Sequence, residues 1–249
     1  MDRTATKVKK TYFNWSTGKD AALALYHLKN KGTYHVDRLL TTLNTHHDRV
    51  TMHGLRRTLL LEQVRALEFP LTLVELPEEP TMEVYNAQLE CAVNQLHSEG
   101  YTHCGFGDIF LEDLRNYRET QLRPYGIQCL FPLWQRNSRE LIAEFLDLGF
   151  KAVVIALNSD VLDASFAGRE IDKYFLNDLP SNIDPCGENG EFHTFCFDGP
   201  IFKRPVTFDI GEKVYKEYKR PGDQENNKAD PSMGFWFADL IPLGKNAQN

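Results

Sequence analysis

Lys10-Thr11-Tyr12-Phe13-Asn14-Trp15-Ser16-Thr17-Gly18-Lys19-Asp20-Ala21-Ala22-Leu23-Ala24-Leu25-Tyr26-His27-Leu28-Lys29 is the stretch that decides the fold. Residues 10–15 are rich in β-formers and read as a buried strand. Residues 21–29 are strong helix formers. A strand that passes into a helix over small residues leaves backbone N–H groups at the positive end of the helix dipole. That is an anion site, and its usual occupant is phosphate. The plainer alternative is an N-cap supplied by Ser16 or Thr17.

The turn is not a Walker A loop, because Phe13 stands six before Lys19 and Asp20, not a hydroxyl residue, follows it. Gly-x-Gly-x-x-Gly is absent as well. Residues 16–21 instead resemble the Ser-Gly-Gly-x-Asp-Ser loop of the PP-loop ATP pyrophosphatases, which cleave ATP between the α- and β-phosphates. Thr17 stands for that loop's first glycine and Ala21 for its final serine.

Outward from the turn, residues 36–44, 71–76, 102–107 and 128–131 read as further strands. Residues 53–67, with Leu55, Leu59, Leu60, Val64 and Leu67 near helical spacing, read as a helix. A long helix opens at Thr81 and stops at Gly100. Strands alternating with helices imply an α/β fold: a parallel sheet, here of five strands, with helices on both faces. Past Leu133 the alternation weakens. Ser138 is expected to cap a helix to Leu148, residues 152–157 form a buried strand, and residues 171–179 a helix. Residues 181–191 are a polar loop, and residues 206–218 two antiparallel strands joined at Gly211-Glu212. Residues 221–231 read as polar and mobile. The apolar segment 234–241 is expected to dock on its own core or on a second subunit in a homodimer. The expected division is residues 1–133 as a nucleotide domain and 134–249 as a smaller α+β substrate domain.

The bulk properties narrow the function. The chain has 249 residues, 42% hydrophobic and 25% charged, with a net charge of −7. That describes a globular protein and argues against general nucleic-acid binding, which needs a basic surplus. Five cysteines without a Cys-x-x-Cys spacing read as reduced thiols, and no membrane-length apolar run or leader-like segment is seen. A cytoplasmic protein without a membrane partner is the expectation.

In open parallel sheets, ligands sit beyond the carboxyl ends of the strands, and several polar clusters fall there. Asn44 ends one strand, followed by His46, His47, His53, Gly54, Arg56 and Arg57. Three nearby histidines raise a metal reading, but His46 and His47, sequential in an extended segment, would point apart. Gly107 would let a base or a backbone approach closely. Asp108 could orient a ribose, a base or hydrated Mg²⁺. Glu112, Arg115, Arg118 and Glu119 recur on one helical face, which is either a site wall or a solvated salt-bridged surface. In 184–194, two glycines separate Glu188 from Glu191, so a tight loop could present carboxylates to an amine. Cys186 shows no paired base that would make it a nucleophile.

Together, Ser16-Thr17-Gly18-Lys19-Asp20, His53-Gly54-Leu55-Arg56, Gly107-Asp108-Ile109 with Arg115-Asn116-Tyr117-Arg118-Glu119, and Gly187-Glu188-Asn189-Gly190-Glu191-Phe192-His193-Thr194 resemble the diphthine–ammonia ligase family, in its order and over residues 8–202. The chain looks like a divergent, bacterial-type member. Asn189 replaces a glycine, and His193 a glutamate, of the family's Glu-Gly-Gly-Glu-Phe-Glu-Thr. His193 can be neutral or cationic near neutral pH and would weaken attraction to a trimethylammonium group.

The resemblance implies a PP-loop, Rossmann-like nucleotide domain and ATP-dependent formation of an amide from a small or protein-borne carboxylate and ammonia. It implies that Trp15 and the 16–20 backbone hold ATP, with Lys19 balancing the leaving pyrophosphate. Asn44, His53, Gly54, Gly107 and Asp108 would bound the nucleoside. Mg²⁺ would bridge the phosphates, with Asp108 as its protein ligand. Arg56 and Arg118 would orient phosphate or carboxylate. Glu188 and Glu191 would position the acceptor or take a proton. Arg115, Tyr117, Glu119, Gly187, Asn189, Gly190, Phe192, His193 and Thr194 would line the substrate. No glutaminase signature is present, so nitrogen comes as free ammonia or from a separate donor. Two rivals remain open: a PP-loop enzyme of tRNA-base or sulfur-transfer type, and a non-catalytic adenine-nucleotide sensor.

Overall fold

The computed structural model describes residues 8–51, 53–218 and 233–243; the expectation for residues 221–231 lies outside them. Strand β1 (Lys9–Asn14) passes directly into helix α1 (Lys19–Asn30). There follow β2 (Tyr34–Asn44), β3 (Arg49–Val50), α2 (Arg57–Leu67), β4 (Leu71–Leu76), α3 (Met82–Ser98), β5 (His103–Gly105), α4 (Glu112–Leu122) and β6 (Gln128–Leu130). Five of these strands pair in parallel in the order β4-β2-β1-β5-β6. The sheet nevertheless has six strands, not five. The sixth, β3, runs antiparallel against Leu43 and Asn44, where β1 has already ended at its Asn14↔Leu40 pair.

Because β1 is central, both its faces are covered, and Thr11, Tyr12 and Phe13 are all buried. Alternation then divides the packing. Phe13, Leu39 and Leu43 share a core with α1 and with Leu59, Leu60 and Val64 of α2. Tyr12, Leu40 and Val74 face the other way, onto Val93 and Leu96 of α3 and Leu122 of α4. Helices thus cover both faces of the sheet.

Beyond β6, α5 (Ser138–Asp147), β7 (Lys151–Asn158), α6 (Lys173–Asp178), β8 (Phe192–Asp198), β9 (Phe208–Tyr218) and β10 (Met233–Pro242) complete the described chain. Their strands form an antiparallel sheet ordered β8-β7-β10-β9. The core of the first sheet continues into it through Phe145, Val153, Phe195 and Leu240. No helix among the described residues is long and apolar enough to cross a membrane.

Three local expectations need correction. Asn137, not Ser138, caps α5, its Oδ1 accepting the N–H groups of Arg139 and Glu140. The second helix starts at Arg57, four residues after His53. Gly211-Glu212 is no turn, because β9 runs straight through it. A Cβ at Gly211 would sit 3.1 Å from Ile241 Cδ1 and 3.2 Å from Asp239 O, so the glycine serves close approach to β10. The apolar 234–241 segment is accordingly the middle of β10, seated between β7 and β9 of its own chain.

Candidate active site

The turn after β1 is held by side chains distant in sequence. Thr17 adopts φ 75°, a left-handed conformation unusual for a β-branched residue, and its buried hydroxyl has no partner among the described residues. Gln63, on the buried face of α2, accepts from Trp15 Nε1 at 2.8 Å. It donates to the carbonyls of Thr17 at 2.9 Å and Cys196 at 2.6 Å. Cys196 N donates to Thr17 O at 2.9 Å, so β8 is bound to the turn. Trp15 is thereby a core residue of the turn's support, not part of an open ligand wall.

Gly18 is the N-cap of α1 and supplies no side chain, so Ser16 and Thr17 are not the capping residues. The cap arrives from β8. Thr194 Oγ1 accepts the Lys19 N–H at 3.1 Å, and a Cβ on Gly18 would lie 3.2 Å from Thr194 O. Gly107 is as closely packed, since its Cβ would fall 2.8 Å from Ala21 N. A backbone, the peptide joining Asp20 to Ala21, is what comes close to Gly107.

Lys19 is 3% exposed. Its ammonium donates to Asp20 Oδ2 at 2.7 Å and to the Cys186 carbonyl, and lies 5.5 Å from the Phe192 ring centre. Burial disfavours that charge, but Asp20, with Cys186 and Glu188, outweighs it and keeps the lysine pKa above its ordinary value. Burial raises the Asp20 carboxyl, with Lys19 acting against the rise. Glu188 Oε1 accepts the Ile109 N–H at 2.8 Å, joining the 184–191 loop to the end of β5. Burial and then the Asp20 charge raise the Glu188 carboxyl to about 7, against the pull of that hydrogen bond and of Lys19. An acid balanced there can hold or release a proton near neutrality. Burial, with Asp20, Asp184 and Glu188 adding to it, pushes the Cys186 thiol well up, which leaves it un-ionised.

His53 and His193 meet beside the turn, their rings stacked at 4.7 Å with 24° between planes. His53 Cε1 would touch a Cβ on Gly18 at 3.6 Å. Burial, then the His193 and Lys19 charges, lowers His53 well below its usual pKa; burial, then Lys19, lowers His193 to about 4. Both rings are neutral near pH 7, so the cationic form expected as one option for His193 is not held here.

Asp108 is buried and paired with Arg118, Nε to Oδ2 at 2.7 Å, while the guanidinium covers the Phe106 ring at 4.5 Å. The structure therefore brings Ser16–Asp20, His53, Gly107, Asp108, Arg118, Cys186, Glu188, His193 and Thr194 to one junction of α1, β5 and β8.

Other expected site residues are occupied elsewhere. The donors of Arg56 go to Asp239 on β10, Nε to Oδ1 at 3.0 Å, with Arg49 on the same carboxylate. Gly54 follows this arrangement, its carbonyl accepting from Arg49 Nη1 at 2.6 Å and its Cα facing Phe237. Asn44 Nδ2 donates to Pro77 O and Glu78 O, and its Oδ1 accepts from His47 N, so its amide braces loops and reads no base. Glu191 turns into its own loop, accepting from Asp184 N, Asn189 N and Asn189 Nδ2. Gly187 (φ 70°) and Gly190 (φ 84°) let that loop close over Phe192, whose ring meets Phe175 edge-on. Arg115 bonds Glu119 one turn along α4 and stacks on Phe131 and Trp134, while Tyr117 donates to Asn86 of α3. These three make the solvated, salt-bridged alternative the better description of that face.

His46 and His47 do not point apart. They lie in a turn, not an extended strand, with ring centres 4.9 Å apart. Gln63 and Asp239 were missed. Gln63 had a signal: a polar residue at helical spacing among Leu59, Leu60 and Leu67 sits on a buried face and must bond something.

The diphthamide synthase C-terminal domain family matches residues 137–224 of this chain. The diphthine–ammonia ligase of Mus musculus is 32% identical over 113 residues, 43% of this chain and 42% of that protein. The Homo sapiens protein of the same name is 32% identical over 110 residues, 42% of this chain and 41% of that protein. For Danio rerio the identity is 33% over 128 residues, 48% of each chain. The matched stretch thus spans less than half of these relatives. By these likenesses the chain is similar to diphthine–ammonia ligases over less than half of their length, and its residues 137–224 match the diphthamide synthase C-terminal domain family.

Proposed function

We propose that this chain joins ammonia to a substrate carboxylate, cleaving ATP to AMP and pyrophosphate as it does so. One observation carries the reading. The β1–α1 turn meets the 184–194 segment at Lys19, where Thr194 Oγ1 takes the backbone N–H and the Cys186 carbonyl takes the ammonium. Both partners are neutral oxygen acceptors, standing where phosphate oxygens would bond. A triphosphate entering the turn would exchange those oxygens for its own, and the bond to be cleaved would then lie on the side of Glu188, whose charge acts on Lys19.

In the first step a carboxylate oxygen attacks the α-phosphorus, the bond to the bridging oxygen of the β-phosphate breaks, and pyrophosphate leaves. The turn N–H groups and Lys19 offset the charge of that leaving group. In the second step ammonia attacks the acyl carbon, the acyl–oxygen bond breaks, and AMP leaves. The nitrogen sheds a proton, for which Glu188 is the nearby acceptor with suitable basicity. Arg118 and Asp108 hold the adjoining wall as a pair. Mg²⁺ neutralises phosphate charge in such chemistry. Both oxygens of Asp108 face the Arg118 guanidinium, so this carboxylate does not fit the ion as a ready ligand and no step here is routed through it.

Diphthine is named for the relatives. For this chain the substrate is a carboxylate, small or protein-borne, and the neutral His53–His193 pair beside the turn supplies no anion to hold a quaternary ammonium. A second reading, a nucleotide sensor, is favoured by one fact: the backbone N–H and the ammonium of Lys19 are both already bonded within the chain. Incubation with Mg-ATP, ammonium and a panel of carboxylates separates the two. AMP, pyrophosphate and amide in equal amounts support the ligase, ADP and phosphate overturn it, and tight ATP binding without turnover on any carboxylate establishes the sensor.

A further inference from the structure

We propose that His46, His47 and Glu78 form a binding site for one zinc-class divalent cation at the carboxyl ends of β2 and β4, separate from the ATP reading above. Their ligand atoms all lie within 4.8 Å of one another. His46 Nε2 is 3.3 Å and His47 Nε2 3.6 Å from the same carboxylate oxygen, Glu78 Oε1. With zinc–nitrogen and zinc–oxygen bonds of about 2.0–2.2 Å, the edge of a coordination tetrahedron is about 3.3–3.5 Å. Both imidazole–carboxylate separations therefore stand close to what zinc needs, and the two imidazole nitrogens, within 4.8 Å of each other, need only a small side-chain adjustment to complete the set.

The scaffold behind them is fixed. Asn44, the last residue of β2, donates to Glu78 O at 2.8 Å and to Pro77 O at 3.2 Å, while its Oδ1 accepts from His47 N at 3.0 Å. Thr45 adds two bonds to Leu76 O, from N at 2.9 Å and from Oγ1 at 3.0 Å. The loop bearing the imidazoles and the loop bearing the carboxylate are thus one braced unit, built on the parallel β2–β4 pair that ends at Asn44↔Leu76. Two imidazoles and one carboxylate suit zinc, cobalt or nickel better than magnesium, whose preference is for oxygen. All three residues are exposed, which leaves the fourth position open to water.

The test is calorimetric titration of the metal-free, untagged full chain with zinc chloride, repeated with cobalt, whose absorption bands report tetrahedral nitrogen and oxygen ligands. The expected result is one zinc per chain and cobalt bands, both abolished in the His46→Ala/His47→Ala double variant. Glu78→Gln should weaken binding by more than the roughly ten-fold loss expected for the bracing variant Asn44→Ala. Cys91→Ser, which removes the exposed thiol, should change nothing. No binding by the native chain, or full binding by the double variant, overturns the proposal. Circular dichroism confirms that each variant is folded, and neither result bears on the ATP reading.

Discussion

Glu188 is the residue whose chemistry is most exposed to test. Its carboxyl is raised from 4.5 to about 7, because burial and Asp20 disfavour its charge more than Lys19 and the Ile109 N–H favour it. Between those two values the folded chain binds a proton that the unfolded chain has lost. Stability from this group is therefore complete below about pH 4.5 and falls as pH rises to about 7. His193 acts oppositely. Its folded value of about 4 against an ordinary 6.5 makes stability rise with pH across that window. The variant Glu188→Gln isolates the first effect, since a glutamine oxygen can still accept from Ile109. Denaturant unfolding should show the variant gaining on the native chain by up to roughly 3 kcal/mol between about pH 4.5 and 8. A difference that does not change with pH would show that the carboxyl titrates normally.

At the scale of elements, α2 and β8 hold the turn that β1 and α1 create. Gln63 makes three buried hydrogen bonds, to Trp15 Nε1, Thr17 O and Cys196 O. Replacing it by leucine leaves an indole N–H and a carbonyl in an apolar core without partners. The expected cost is about 3 kcal/mol, measured as a lowered denaturant midpoint, with ATP affinity reduced as the turn loosens. An unchanged midpoint would show that β8 alone secures the turn. The sequence made β1, the turn and α1 legible because strand, small residues and helix formers are contiguous there. It made the 184–191 loop legible because glycines and acids alternate in it. The partners of these pieces lie far along the chain: Thr194 caps α1 from 175 residues beyond Lys19, and Asp239 takes Arg56 from 183 residues away. No local pattern specifies such pairs. Arginine after a strand reads as an anion ligand until the fold supplies a carboxylate for it. Gly211 misled for a related reason, since close strand approach and a turn call for the same residue.

At the scale of the whole molecule, two sheets share one core and meet where the helix dipole of α1 faces β8. The parallel sheet offers its carboxyl ends, β8 delivers His193 and Thr194 to them, and the loop ahead of β8 delivers Cys186 and Glu188. In the proposed reaction a carboxylate and ATP meet at this junction with loss of pyrophosphate. The most direct measurement is the exchange of labelled pyrophosphate into ATP, with a carboxylate substrate present and ammonia withheld. The adenylate step is reversible, so label should enter ATP only when the carboxylate is present, and Lys19→Ala should suppress the exchange. Absence of exchange while ADP and phosphate accumulate would rule that reaction out.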